Sequence, residues 1–153
     1  MRNQMLKDII ALGEGFTIEF KQAGTSNLGR EICAFANATG GVILIGVTDS
    51  GGIVGVADHN RLKSEVQAIA RSADPPIAVE IESIGDVLSL VVPEQHSKPY
   101  SFGGKFFMRE GASSQQMSRE EIREFFLPRM IPCMTPRMRP HMSGDLWQKY
   151  MEK

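Results

Sequence analysis

The run Val42–Val47 constrains the fold more than any other segment of this chain. It is uninterrupted by polar residues and is rich in β-branched side chains. A continuous run of this kind is typical of a strand that is covered on both faces. Gly40 and Gly41 lie directly before it and predict the end of a preceding helix. The segment therefore predicts a central strand with other elements packed above and below it.

Strands and helices alternate along the rest of the chain. Apolar spacing predicts helices over residues 3–12, 27–38 and 118–126, and one that begins at Asp58 and ends before Pro75. We expect Asn27 and Asp58 to cap their helices, and Ser118 with Glu121 to form a capping box. Strands are predicted over residues 16–21, 78–84, 87–92 and 105–109, and Asp49 begins a hairpin-type turn into Ile53. The predicted fold class is α+β, a mixed β-sheet with flanking helices.

The C-terminal residues follow a repeat of a different kind. The unit Pro-x-Met-x occurs four times from Pro128, and a short amphipathic segment containing Trp147 follows it. Proline at every fourth position disfavours a regular helix, so we predict an extended arm. We expect a domain over residues 1–127 and this arm over residues 128–153. The arm either docks on its own domain or reaches a second protomer.

Composition excludes several classes of protein. The net charge is −1, and because residues 128–153 carry +3, residues 1–127 carry −4, which disfavours a broad basic surface for nucleic acid. No apolar run approaches the ~20 residues of a membrane span, and the first residues do not resemble a signal peptide. The three histidines and two cysteines lack zinc-ligand spacing. We expect a cytoplasmic protein.

Three carboxylates and a lysine form the strongest candidate site. Glu19 and Lys21 alternate with apolar residues and so share the polar face of a strand, with Glu14 before them and Asp49 after the next strand. If the fold brings these groups together, Glu14, Glu19 and Asp49 would hold Mg²⁺ or Mn²⁺, and Lys21 would contact a phosphate. The alternative is that they are solvated residues beside a strand.

Cations and aromatic residues are interleaved near Lys105 and Arg109. This composition is typical of a surface that stacks bases and pairs with phosphates, although Phe106 or Phe107 must point inward if the segment is a strand. The alternative is core with a charged rim. The glycine spacing from Gly41 to Gly46 lacks the lysine that a P-loop requires, so close backbone packing is the expected role of these glycines.

Taken together, these motifs resemble the Schlafen-type Alba-like domain of Schlafen proteins and of bacterial and archaeal transcriptional regulators. The resemblance covers about residues 10–127, and the matching motifs are Glu14-x4-Glu19-Phe20-Lys21, Ala34 to Asn37 with Gly40-Gly41, Gly46-Val47-x-Asp49 with Gly55, and Lys105 to Gly111.

The resemblance implies an α+β fold and nucleic-acid binding. In Schlafen endoribonucleases a carboxylate triad cuts structured RNA with a divalent metal, and by motif match that triad is Glu14, Glu19 and Asp49, with Lys21 beside it and Lys105 and Arg109 holding backbone phosphates. The alternative function is a non-catalytic, DNA- or ATP-binding transcriptional regulator module. Schlafen nucleases pair two such lobes, and since this chain has one, we expect a homodimer joined by the C-terminal arm.

Overall fold

A computed structural model describes residues 2–130 of the chain, without the side chains of residues 128–130. The fold divides into two compact units, Met1–Met117, called here the body, and a C-terminal unit that begins at Ser118. The predicted domain limits, 1–127 and 128–153, stay a prediction. The elements of the body are α1 (Arg2–Leu12), β1 (Ile18–Lys21), α2 (Leu28–Asn37), β2 (Gly41–Ile45), α3 (His59–Arg71), β3 (Glu80–Ile84), β4 (Val87–Val92), β5 (Ser101–Phe102), β6 (Lys105–Glu110) and β7 (Ser113–Gln116), and the C-terminal unit contains α4 (Arg119–Met130).

The larger sheet confirms the predicted α+β fold with a mixed β-sheet. Its four strands lie in the order β1-β2-β4-β3, with β1 and β2 parallel and the other pairs antiparallel. In β2, Ile43 and Ile45 pack into one apolar cluster with α2 and α3, whereas Leu44 packs into a second cluster with Leu6 of α1. These three side chains of β2 are fully buried. The predicted strand covered on both faces is thus confirmed.

A second, three-stranded sheet, β5-β6-β7, packs against α2. The buried Asn37 at the end of α2 fixes this contact, because its Nδ2 donates to the carbonyls of Tyr100 and Phe107 at 2.9 and 2.8 Å. Its Oδ1 accepts the Tyr100 N–H at 2.6 Å. One amide therefore ties α2 to the residue before β5 and to the middle of β6.

Gly40 and Gly41 allow the close approach of α2 to the larger sheet. Gly40 has φ +80°, and a Cβ there would lie 2.6 Å from the Val92 carbonyl oxygen. A Cβ at Gly41 would lie 2.5 Å from the Phe35 ring and 2.7 Å from the Thr17 carbonyl oxygen. The prediction that these glycines serve close backbone packing is confirmed.

The three predicted cap residues lie at the starts of their helices, and two of them make capping hydrogen bonds. Asp58 accepts the Arg61 N–H at 3.0 Å, and Ser118 exchanges hydrogen bonds with Glu121 at 2.6 and 3.3 Å. Asn27 is the N-cap residue of α2, as predicted, but it adopts a left-handed conformation, φ 60°, and its side chain makes no capping hydrogen bond. Asparagine tolerates that conformation better than other non-glycine residues do.

Several boundaries differ from those predicted. The hairpin after Asp49 is reduced to a single bridge between Val47 and Ile53. Helix α4 continues beyond the predicted end at Phe126 to Met130. The rest of the Pro-x-Met-x arm and the segment around Trp147 lie outside the described residues. Within residues 2–130, no helix is long and apolar enough to cross a membrane.

Candidate functional site

The fold brings Glu19 and Asp49 close enough to Glu14 for their charges to act on it. Glu14 is exposed in the loop before β1, and its Oε1 accepts the Phe20 N–H at 3.1 Å. Burial raises the pKa of Glu14, and the neighbouring charges of Glu19 and Asp49 raise it further, although the Phe20 N–H and Arg109 oppose the shift. Repulsion of this kind is expected where carboxylates share a small region.

The arrangement of these carboxylates does not fit a shared metal ion. Oxygen donors suit Mg²⁺ or Mn²⁺. However, one oxygen of Glu19 is held in an ion pair with Arg109, and one oxygen of Glu14 accepts a backbone N–H. Among the residues that the structure describes, no three His, Cys, Asp or Glu side chains converge as a metal site. The assignment of Glu14, Glu19 and Asp49 as metal ligands therefore stays a prediction.

Lys21 binds a partner that the sequence did not suggest. Its Nζ donates to the Ser26 carbonyl at 2.6 Å and lies 3.3 Å from Oε2 of Glu31 on α2, in a pair whose side chains are each 13% exposed. Burial raises the pKa of Glu31, and the charge of Lys21 partly offsets that rise. Lys21 is thus engaged in linking β1 to α2.

Arg109 was predicted to contact phosphate, but its side chain is fully buried. Its guanidinium donates to Glu19 Oε2 at 2.8 Å, to the Gly15 carbonyl at 2.6 Å and to Ser114 Oγ at 3.0 Å. It also lies 4.5 Å from the centroid of the Phe35 ring. Arg109 therefore anchors the segment from Gly15 to Glu19 onto the smaller sheet, and in this arrangement its bound donors are not available to a phosphate.

Lys105, in contrast, is exposed at the edge of a groove of about 560 Å³ between the start of α2 and the smaller sheet. We call this the α2 groove, and its residues are Thr25, Asn27, Leu28, Gly29, Arg30, Ile69, Phe102, Gly103, Lys105, Phe107, Gln115 and Gln116. These described lining residues include two cations and no carboxylate. Because the body carries a net charge of −3, the sign of the charge in the groove is opposite to that of the body as a whole.

Arg30 is held in place within this groove. Its Nε donates to the Ser114 carbonyl at 2.9 Å, its Nη2 donates to the same oxygen, and its guanidinium lies 5.6 Å from the centroid of the Phe107 ring. Fixing a guanidinium in this way reduces the conformational entropy that it would lose on binding an anion.

Sequence reasoning missed Arg30, Phe102 and Gln116 as groove residues. The strand that carries Gln116 is polar throughout and lacks the alternation that identifies a half-buried strand. One signal was available for Phe102, since it is separated from Lys105 by two glycines, which is typical of a tight hairpin.

Another depression has a similar charge but a different chemistry. It lies along α3 and is lined by Lys63, Ser64, Gln67, Ala68, Arg71 and Ile81, without an aromatic residue. It provides a matched surface on which the effect of a cation can be compared with that in the α2 groove.

The comparisons with known proteins bear on the body. The family model described as Schlafen, AlbA_2 matches residues 14–118. The structure resembles the DIP2311 protein from Corynebacterium diphtheriae, with a TM-score of 0.56 and 21% identity over 82% of this chain and 28% of that one. It also resembles the N-terminal domain of a RecG-related protein from Nitrosomonas europaea, with a TM-score of 0.49 and 25% identity over 76% of this chain and 93% of that domain. This chain thus spans little more than a quarter of the DIP2311 protein, and that likeness concerns the fold alone.

Proposed function

This chain belongs to the Schlafen, AlbA_2 family, and on that basis we propose that its body binds nucleic acid through the α2 groove. The family match confirms the resemblance inferred from the sequence motifs.

The observation that supports the proposal most is the composition of the groove. It combines the exposed cation Lys105, the fixed guanidinium of Arg30, the aromatic ring of Phe102 and the side-chain amides of Asn27 and Gln116. Cations pair with phosphates, aromatic rings stack on bases, and amides both donate to and accept from base edges. The start of α2 adds the positive end of a helix dipole to the same wall.

Fluorescence anisotropy with labelled RNA and DNA oligonucleotides tests the proposal. We expect wild-type protein to bind, and Lys105→Glu to weaken binding and to reduce the dependence of log K on log salt by about 0.7–0.9, as loss of one phosphate contact requires. Lys63→Glu is the matched control, because it makes the same charge change in the depression along α3. If the wild type binds no nucleic acid, or if both variants weaken binding equally, the proposal fails.

Metal-dependent RNA cleavage is a second candidate function. One observation favours it, the charges of Glu19 and Asp49 acting on Glu14, but these carboxylates could share a divalent cation only if they moved together and Glu19 left Arg109. Asp49→Asn is the clean test, since Asp49 is exposed, whereas Glu19 is paired with the buried Arg109 and its removal would also disturb the fold. Nicking of a structured RNA with Mn²⁺ that Asp49→Asn abolishes would support this candidate, and intact RNA across Mg²⁺ and Mn²⁺ would exclude it.

The alternative of an ATP-binding regulator module makes a separate prediction. ATP would then raise the melting temperature of the wild type, since a ligand that binds only the folded state stabilises it. The binding of nucleic acid without cleavage, and without a shift by ATP, would leave the non-catalytic nucleic-acid module as the function.

A further inference from the structure

We infer that the α2 groove selects single-stranded nucleic acid and holds one unpaired base against Phe102. This inference rests on the proposed function and names the class of strand that the same groove takes. It depends on the hairpin that presents Phe102, on the polar groups around it and on the small number of cations.

The hairpin places an aromatic ring beside a cation. Phe102 and Lys105 are directly opposite partners in the pairing of β5 with β6, and Gly103 and Gly104 join them with φ values of +59° and +76°. Positive φ at both central residues is the signature of a tight type I′ turn. Directly opposed residues of an antiparallel pair project to the same face with their Cβ atoms about 5 Å apart. A base on Phe102 would therefore have its own phosphate within reach of Lys105.

Helix α2 supports the Phe102 ring from behind. The tip of the ring lies so close to Gly29 that a Cβ at that position would overlap it. Phe102 is half-buried and borders the groove, so its ring is both supported and accessible. A ring fixed by packing loses little entropy when a base stacks on it.

The groove also offers groups that can bond to a base edge. Gln116 is exposed and is the direct partner of Phe107 in the β6–β7 ladder. Phe107 and Lys105 are two residues apart on β6 and share one face, so the side chain of Gln116 lies on that face as well. Asn27 borders the groove from the opposite wall and makes no capping bond. The volume of about 560 Å³ falls within the range of about 300–1,000 Å³ of small-ligand sites, which suits one or two nucleotides.

The charge favours an unpaired strand over a duplex. Sequence-independent binding to a duplex depends on many phosphate contacts, and this groove has two cations, Lys105 and Arg30, on a body of net charge −3. Bases within a duplex are already stacked and leave no face for Phe102, whereas an unpaired base exposes one. Stacking and base-edge contacts must then supply most of the affinity.

The experiment measures anisotropy with a labelled single strand of about 12 nucleotides and with the same sequence as a duplex. We expect tighter binding to the single strand and a salt slope of about −1.4, from two phosphate contacts. Phe102→Leu, which keeps the apolar packing without the π face, should weaken single-strand binding roughly 5- to 150-fold. Phe106→Leu is the matched control, because Phe106 lies on the opposite face of β6.

The possible outcomes separate this inference from the proposed function. Binding to neither strand nor duplex overturns the proposed function itself. Duplex binding that equals or exceeds single-strand binding, or a folded Phe102→Leu that binds as the wild type does, overturns only the inference. Competition with AMP tests whether the groove prefers a strand to a free nucleotide. If AMP displaces the strand when both are present at the same concentration of nucleotide units, the inference is also overturned. Gly29→Ala is a second variant that displaces the ring without removing it, and we expect it to weaken binding as Phe102→Leu does.

Discussion

Replacing Arg109 with methionine removes the side chain that holds the segment from Gly15 to Glu19. The guanidinium donates to Gly15, Glu19 and Ser114 at 2.6, 2.8 and 3.0 Å, and more weakly to the Phe16 carbonyl at 3.4 Å. Methionine fills a similar volume but donates to none of these oxygens. The substitution therefore isolates the polar role of Arg109 from its packing.

The expected loss follows from these partners. Removing one member of a buried ion pair costs about 3–5 kcal/mol, because the other charge is left without a partner. The Glu19 side chain is 17% exposed and can recover some hydration, but the loss of the contact with Phe35 costs up to about 2 kcal/mol more. We expect Arg109→Met to lower the free energy of unfolding by about 4 kcal/mol, a shift in melting temperature of roughly 8–16 °C for a chain of this size. Arg109→Lys should cost about half as much, since it keeps the charge but not the fork of donors.

Urea unfolding followed by far-ultraviolet circular dichroism measures these changes. Lys105→Met is the matched control, since Lys105 is on the same strand but exposed, and we expect a change within about 0.5 kcal/mol. Equal unfolding midpoints for the two variants would refute the role of Arg109 as an anchor. A folded, fully stable Arg109→Lys that has lost nucleic-acid binding would instead restore the phosphate role predicted from the sequence.

Three further predictions concern other parts of the chain. Asn37→Asp turns an amide donor into an oxygen that faces two carbonyl oxygens, and should lower the free energy of unfolding by about 3 kcal/mol, measured by urea titration; an unchanged midpoint would contradict this. Because burial raises the pKa of Glu31 above its ordinary value of 4.5, the stability that Glu31 contributes is present below that value and is lost as the pH rises through the folded pKa. The unfolding free energy of the wild type, relative to that of Glu31→Gln, should therefore rise as the pH is lowered from about 7 to about 4. A difference between the two proteins that does not change with pH would disprove this prediction. If the arm joins two protomers, light scattering should show a dimer that becomes a monomer when residues 131–153 are removed, and a monomer in both cases would exclude the predicted homodimer.

The central part of the fold could be predicted because its signals are local. The run Val42–Val47 identified the buried strand β2, and Asp58 and Ser118 identified the starts of their helices. Strand β7 could not be found this way, because its residues are polar and it is held by pairing with β6 rather than by its own burial. A strand of that kind depends on its neighbour, which a local pattern does not reveal.

The candidate site was predicted in part. The charges of Glu19 and Asp49 do act on Glu14, but the partners of Glu19 and Lys21 lie 90 and 10 residues away. The inward position of Arg109 had a signal in the sequence, since period-two alternation puts it on the same face as the buried Phe107. The α2 groove had almost none, because its walls come from three separate parts of the chain.

Chemical-shift mapping tests the central claim most directly. In a titration of ¹⁵N-labelled protein with an unlabelled single strand, the binding of nucleic acid at the α2 groove predicts the largest shifts at the backbone amides of residues 25–30, 102–107 and 115–116. The amides along α3 around Lys63 should be unaffected. Shifts concentrated at α3 or around Glu14 and Asp49, with none in the groove, would contradict the account.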